Sequence, residues 1–110
     1  MAALYSSLLF GSPAAAGGTY NSDPVPVGKV WVVRDIDAIL LAAPNLVPNG
    51  FTLTDSGDQH IAAQLDGFAR SFADFHKETR QVLVAGDFLV MTTTDFGWSW
   101  RISGFVLTAP

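Results

Sequence analysis

Two stretches of the chain, 25–33 (VPVGKVWVV) and 83–91 (LVAGDFLVM), share one layout and align without a gap at a spacing of 58 residues. Each has a short apolar approach, a glycine followed by a charged residue, and a run of β-branched and large apolar residues. The glycine marks a tight turn, and the run after it is typical of a buried strand. The repeat therefore predicts two equivalent hairpin corners in a two-layer β-domain whose halves share a plan.

Further strand signals extend outward from this repeat on both sides. Apolar and alternating segments bounded by turn residues predict strands at 4–10, 29–42 (bent near 35–37), 51–54, 60–65, 80–84, 88–94 and 98–108. The sequence thus predicts an all-β fold, a single-domain antiparallel β-sandwich that is jelly-roll-like and has seven or eight strands. Residues 1–24 are predicted as an N-terminal strand plus a flexible arm or loop, because 11–24 is rich in Gly, Ala, Ser and Pro. The sandwich body is predicted to span 25–110.

Residues 59–79 fit two different interpretations. Ile61, Leu65, Phe68, Phe72 and Phe75 are spaced by four, three, four and three residues, which is the spacing of one apolar helix face. Gly67 inside this segment and the alternation over 68–72 suit a strand equally well. From these residues alone, 61–75 is either strand or helix.

The composition limits the classes of function. A chain of 110 residues is expected to form one domain, and it contains no cysteine for disulfides or thiolate metal sites. A net charge of −4 without a basic cluster argues against nucleic acid as a partner, and apolar runs such as 39–43 are too short to cross a membrane. Only 15% of the residues are charged, against about 25% in an average soluble domain. Apolar side chains should therefore remain on the surface, which predicts a homo-oligomer, with a trimer as one suitable symmetry.

Residues that could carry catalysis are few. His60 and His76 do not occur in HExxH, HxH or another spacing that presents two ligands to one metal, so both are expected to be polar surface histidines. Asp35 and Asp37 would share a strand face, where with Arg34 they form a solvated or inter-subunit polar face. A carboxylate pair working with a histidine is the enzymatic alternative. We predict no enzyme, no cofactor, no metal site and no catalytic residue.

Tryptophans are the side chains best suited to binding. Trp98 and Trp100 share one face of the last predicted strand, and Trp31 follows the first glycine corner. Aromatic residues on a sheet face stack on sugars or anchor protein partners, although core or interface packing is the commoner use. The candidate interface or ligand platform therefore comprises Trp31, Trp98, Trp100, Arg34, Asp35 and Asp37.

Three segments carry a resemblance to a known group of proteins: 25–36 (VPVGKVWVVRDI), 80–87 (RQVLVAGD) and 103–110 (SGFVLTAP). They resemble the VPAGKxxVVRDI, GRQVLxPGE and SGYLLT segments of small virion proteins of tailed bacteriophages. Thr79, Ala85 and Asp87 depart from that pattern, standing where the group has Gly, Pro and Glu. The resemblance implies a β-sandwich building block of the particle, and it favours strand over helix for 67–75.

The expected function is accordingly that of a non-enzymatic structural protein of a bacteriophage particle, as a capsid decoration or cement protein or a minor tail component. Its expected partners are copies of itself and other virion proteins, and its expected location is the virion, assembled in the host cytoplasm. The alternative is a carbohydrate- or receptor-binding β-sandwich module that uses surface tryptophans, with a host glycan as ligand.

Overall fold

The computed structural model describes residues 7–15, 17–40, 50–64, 74–93 and 97–109, and these form eight β-strands and no helix. The strands are β1 (Ser7–Ala15), β2 (Gly18–Asn21), β3 (Lys29–Leu40), β4 (Phe51–Asp55), β5 (His60–Gln64), β6 (Asp74–Val84), β7 (Leu89–Thr93) and β8 (Trp98–Thr108).

The strands form two four-stranded antiparallel sheets. Sheet A has the order β1-β8-β3-β6, and sheet B has the order β2-β7-β4-β5. Most successive strands alternate between the sheets, which is the arrangement of an eight-stranded jelly roll. The predicted fold class, an all-β sandwich of seven or eight strands, is confirmed.

The two copies of the glycine motif form equivalent turns. In the first, Lys29 N–H donates to the carbonyl of Pro26 (3.1 Å), and Gly28 at the third position has φ +81°. In the second, Asp87 N–H donates to the carbonyl of Val84 (2.9 Å), and Gly86 has φ +91°. A positive φ at the third residue is the geometry of a type II turn, which is why glycine stands there in both copies.

The two turns also contact each other. Val25 N–H donates to the carbonyl of Asp87 (2.8 Å), and Gly86 N–H donates to the carbonyl of Val25 (3.0 Å). The first turn leads into β3 of sheet A and the second into β7 of sheet B. The predicted pair of equivalent corners is therefore present, and it joins the two layers at one end of the sandwich.

Aromatic side chains from both sheets meet in the core. The Trp100 ring of sheet A lies 5.5 Å from that of Phe10 and 5.3 Å from that of Tyr20, which belongs to sheet B. Phe51 of sheet B lies 5.0 Å from both Trp98 and Phe75 of sheet A. Edge-to-face and tilted contacts at these separations add to the burial of large apolar surfaces. The core therefore binds the two sheets through their aromatic residues.

The prediction of a flexible arm is wrong for the described part of 11–24. Residues up to Ala15 continue β1 along β8, and Gly18–Asn21 form β2 along β7. Ser22 and Val25 are buried, and the Ser22 hydroxyl accepts a hydrogen bond from Leu89 N–H (2.9 Å). Backbone hydrogen bonding to a neighbouring strand does not require apolar side chains, so a Gly- and Ala-rich segment can be a strand.

The middle of the chain agrees with the predicted hairpin. β4 and β5 pair antiparallel around a turn in which the Asp55 carboxylate accepts hydrogen bonds from Gly57 N–H (2.8 Å) and Gln59 N–H (2.9 Å). Of the segment 61–75, residues 61–64 and 74–75 lie in strands, and 65–73 lie outside the described residues. The strand predicted at 80–84 begins earlier, at Asp74.

Candidate interaction surface

The outer face of sheet A has an apolar half. Strand register places side chains of β8, β3 and β6 in two adjacent rows, one of Leu107, Val30 and Val84 and the next of Phe105, Val32 and Val82. Val82, Val84 and Leu107 are 55%, 54% and 50% exposed. Exposed large apolar side chains in contiguous rows mark interaction sites more often than single ones do. We call these six residues the apolar half.

A β-bulge in β3 separates this half from the rest of the face. The register of β3 shifts between Val33 and Asp35 against both neighbouring strands, and Arg34 and Asp35 are consecutive half-buried residues. The shift reverses the alternation, so that Asp35 and Asp37 lie on the same outer face as Val30 and Val32. The Arg34 guanidinium lies over the Phe105 ring, with its Cζ 5.4 Å from the ring centroid.

Beyond the bulge the outer face is charged. Asp35 lies opposite Glu78 of β6, and Asp37 lies between His76 of β6 and Arg101 of β8. We call the outer-face residues Asp35, Asp37, Asp74, His76, Glu78 and Arg101 the charged half. Arg34 at the bulge and Arg80 on β6 lie on the same face at its border with the apolar half.

His76 is held by carboxylates on this half. Its Nδ1 lies 2.6 Å from Oδ1 of Asp37, and its Nε2 lies 4.0 Å from Oε1 of Glu78. The hydrogen bond to Asp37 is the main cause that raises the pKa of His76 above 6.5. Desolvation opposes it, and the negative charges of Asp37, Asp35 and Glu78 add smaller increases. The His76 and Asp37 side chains are each about half exposed, so solvent screens this interaction.

Three candidate ligands for a cation converge at the same place. A ring nitrogen of His76 and one carboxylate oxygen each from Asp35 and Glu78 all lie within 4.8 Å of one another. His76 and Glu78 are two residues apart on β6 and therefore face the same side, and Asp35 is the residue opposite Glu78. No sequence motif connects them, because only strand pairing brings Asp35 to His76.

The predicted tryptophan platform is not on the surface. Trp31, Trp98 and Trp100 are 7%, 0% and 3% exposed, and all three belong to the hydrophobic core. Alternation along β3 and β8 directs these side chains between the sheets, where their large apolar surfaces are removed from water. The interpretation of these tryptophans as an exposed ligand platform is therefore wrong.

The other candidate residues lie on the outer face. Arg34, Asp35 and Asp37 are half-buried and occupy the bulge and the charged half, as predicted for a polar face. The structure also brings His76 within reach of both aspartates, which is the grouping that the enzymatic alternative needed. The His76 and Asp37 side chains are each about half exposed, so water reaches the grouping.

The apolar half was missed at the level of individual residues. The low charge of the whole chain predicted exposed apolar surface without locating it. The alternation of 80–84 (RQVLV) could have located part of it. Leu83 is buried, so the valines on either side of it must face outward.

The outer face of sheet B has a different character. Thr52, Thr54 and Thr92 are half-buried on central strands, and Thr19 is exposed on β2. Threonine is β-branched and polar, so it suits a solvated sheet face. The contrast makes the outer face of sheet A the better candidate for interaction.

The described residues include no helix that could span a membrane.

Comparison with known proteins gives structural similarity without sequence similarity. No family model matches the chain, and no curated protein matches it. The chain is similar to a protein in the acidic stable capsid structure of Helicobacter pylori bacteriophage KHP30, with a TM-score of 0.65 and 11% identity over 97% of this chain and 94% of that one.

Two further solved structures are similar at lower scores. The Drosophila NLP core, described for its pentamer formation and histone binding, has a TM-score of 0.51 and 13% identity over 93% of this chain and 99% of that one. A family 35 carbohydrate binding module from an environmental isolate has a TM-score of 0.45 and 12% identity over 86% and 72% of the two chains. At identities this low, the similarity concerns the fold.

Proposed function

We propose that this chain is a non-enzymatic structural protein of a tailed-bacteriophage particle that acts by associating with copies of itself and with other virion proteins. The apolar half of sheet A is the observation that carries the proposal. The resemblance of 25–36, 80–87 and 103–110 to small phage virion proteins supports it. The jelly-roll fold is compatible with it, since the similar structures include a phage capsid and a protein that forms a pentamer.

Energetics favour a covered apolar half. Fully burying an exposed valine or leucine stabilises by about 1.5–3 kcal/mol, so each half-exposed side chain would contribute roughly 1 kcal/mol. Two rows of such residues on a rigid sheet need little ordering on association, which keeps the entropic cost of binding low. The charged half beside them would supply the polar rim that protein interfaces usually have.

A surface of this kind suits a protein partner better than a small ligand. Small-molecule sites are concave, and they combine apolar walls with convergent polar groups. The apolar half is instead one face of a sheet, and the polar groups lie beside it. Within the particle, the role would be capsid decoration or cement, or that of a minor tail component. The protein would then reside in the virion after assembly in the host cytoplasm.

Charge placed on the apolar half tests the proposal. We expect the double variant Val82→Asp, Val84→Asp to sediment as a monomer at micromolar concentration, where the unmodified chain sediments as an oligomer. Val90→Asp is the control, because Val90 lies on the outer face of sheet B and the substitution places a carboxylate there in the same way, although only one. Circular dichroism must show that all three proteins are folded.

The proposal fails if the unmodified chain is a stable monomer, or if Val90→Asp dissociates the oligomer as fully as the double variant. A complementary test is microscopy of the intact particle with a tagged copy. Location of the tag at regular capsid or tail positions supports the proposal, and absence of the protein from purified particles contradicts it.

A further inference from the structure

We propose that the charged half binds one divalent transition-metal ion of the Zn²⁺ class, with Asp35, His76 and Glu78 as ligands and Asp37 as the residue that orients the histidine. The proposal does not depend on the proposed virion role. It concerns residues brought together by strand pairing on the outer face of sheet A.

The geometry needs only side-chain adjustment. The three donor atoms lie within 4.8 Å of one another, whereas donors around a tetrahedral Zn²⁺ at about 2.0–2.2 Å from the metal lie roughly 3.4 Å apart. The Glu78 side chain is 81% exposed, so it can change rotamer without disturbing the core. Backbone positions are already suitable, since Asp35 and Glu78 are direct cross-strand partners and His76 lies on the same face.

Asp37 gives His76 the tautomer that a metal requires. In the neutral imidazole, Nδ1–H donating to Asp37 Oδ1 (2.6 Å) leaves the lone pair of Nε2 free. That nitrogen lies on the side of Glu78, at 4.0 Å from Oε1. Metal-binding histidines commonly donate their second N–H to a carboxylate in this way, which fixes the ring and increases its basicity. This oriented imidazole distinguishes the group from a cluster of carboxylates alone.

Charge and donor type select the class of ion. The charged half carries four carboxylates, Asp35, Asp37, Asp74 and Glu78, and one guanidinium, that of Arg101. Arg80 follows Glu78 on the same face of β6 and Arg34 lies at the bulge, so the carboxylates exceed the nearby guanidiniums by one. One imidazole nitrogen with two carboxylate oxygens suits Zn²⁺ and its neighbours, whereas Ca²⁺ and Mg²⁺ prefer oxygen ligands alone. Water would complete the coordination, because the site is open to solvent.

Titration of the chelator-treated, untagged full chain with ZnCl₂ tests the proposal by calorimetry. We expect saturable binding of one Zn²⁺ per chain, and no comparable binding of MgCl₂ or CaCl₂. His76→Gln should weaken the affinity by at least about 100-fold, and Asp37→Asn by about 10- to 100-fold, as is usual for loss of an orienting carboxylate. His60→Gln is the matched control, since His60 is the other histidine and lies on β5 of sheet B.

Measurement of the Tm with and without Zn²⁺ gives a second test that does not rest on one variant. Zn²⁺ that binds only the folded chain should raise its Tm, and the increase should disappear in His76→Gln and Glu78→Gln. The proposal is overturned by absence of saturable binding, by equal affinity in His76→Gln, or by equal loss in His60→Gln. Circular dichroism without metal establishes that each variant is folded.

Discussion

Gly104 is the residue at which β8 approaches the bulge of β3 most closely. A Cβ atom at this position would overlap the carbonyl oxygen of Val32, lie 2.9 Å from the carbonyl carbon of Val32 and lie 3.1 Å from the backbone nitrogen of Arg34. The obstructing atoms are backbone atoms of a central strand, so they cannot turn away as a flexible side chain would. The absence of a side chain at Gly104 therefore permits the bulge that separates the apolar half from the charged half.

We expect Gly104→Ala to destabilise the fold by about 3 kcal/mol, at the upper end of the usual cost of overpacking. For a domain of this size, that corresponds to a Tm lower by more than about 10 °C. Thermal unfolding followed by circular dichroism measures the change. Gly57→Ala is the control, because a Cβ there would make only an ordinary contact of 3.4 Å with Asp55. Equal Tm values for the two variants would contradict the packing argument.

At the same scale, His76 should titrate above its ordinary pKa of 6.5 when metal is removed with a chelator. Asp37→Asn removes the largest cause of the increase, so it should lower the NMR titration midpoint of His76. A raised pKa stabilises the folded chain below the unfolded value, and this contribution is lost as the pH rises through the folded value. An unchanged midpoint in Asp37→Asn would show that the hydrogen bond does not persist in solution.

At the scale of elements, the two glycine turns determine how one layer passes to the other. Each turn has a glycine with positive φ at the third position, and Val25 hydrogen-bonds the first turn to the second. Both turns lead into strands whose alternate residues enter the core, Trp31 and Val33 on β3 and Leu89 and Met91 on β7. The sequence repeat is thus an architectural repeat in the two sheets.

Alanine at either turn glycine should cost about 1–2 kcal/mol, because an L-residue with positive φ brings Cβ close to the following carbonyl. Among the described residues no atom lies within 4 Å of a Cβ built at Gly28 or Gly86, so the expected cost comes from backbone strain. Chemical denaturation of Gly28→Ala, Gly86→Ala and the control Gly57→Ala measures the costs. A loss below about 0.5 kcal/mol at either turn glycine would contradict the turn assignment.

Strand prediction succeeded or failed for reasons specific to each element. β4 and β8 alternate clearly between apolar and polar residues, and both were predicted within one residue of their bounds. β2 (GTYN) has little such alternation, and the glycine- and alanine-rich stretch around it suggested a flexible arm. Its strand conformation comes from backbone pairing with β7, a partner some 70 residues later, so no local pattern could reveal it.

At the scale of the whole molecule, the outer faces of the two sheets differ in chemical character. Sheet B presents threonines, whereas sheet A presents two apolar rows and a group of charged residues. A face that is apolar in one half and charged in the other suits an interface with a polar rim. The proposed self-association therefore has one defined surface, on sheet A.

If the folded chain associates through the apolar half, its thermal stability should depend on concentration. We expect the Tm to rise by several degrees between about 5 and 500 μM, because mass action favours the folded oligomer. In Val82→Asp, Val84→Asp the dependence should vanish, while Val90→Asp should retain it. Differential scanning calorimetry provides the measurement, and a constant Tm for the unmodified chain would count against association by this face.

By itself, the sequence determined the all-β class, the approximate number of strands and the two glycine turns, because alternation and backbone preference are local properties. Tertiary structure alone decided that Trp31, Trp98 and Trp100 pack between the two sheets, since the apolar face of a strand can equally serve a core, a subunit interface or a ligand platform. It also decided that Asp35 lies beside His76 and Glu78. The physical reason is that strands pair through backbone hydrogen bonds between distant segments, and register, which no local pattern contains, sets which side chains become neighbours.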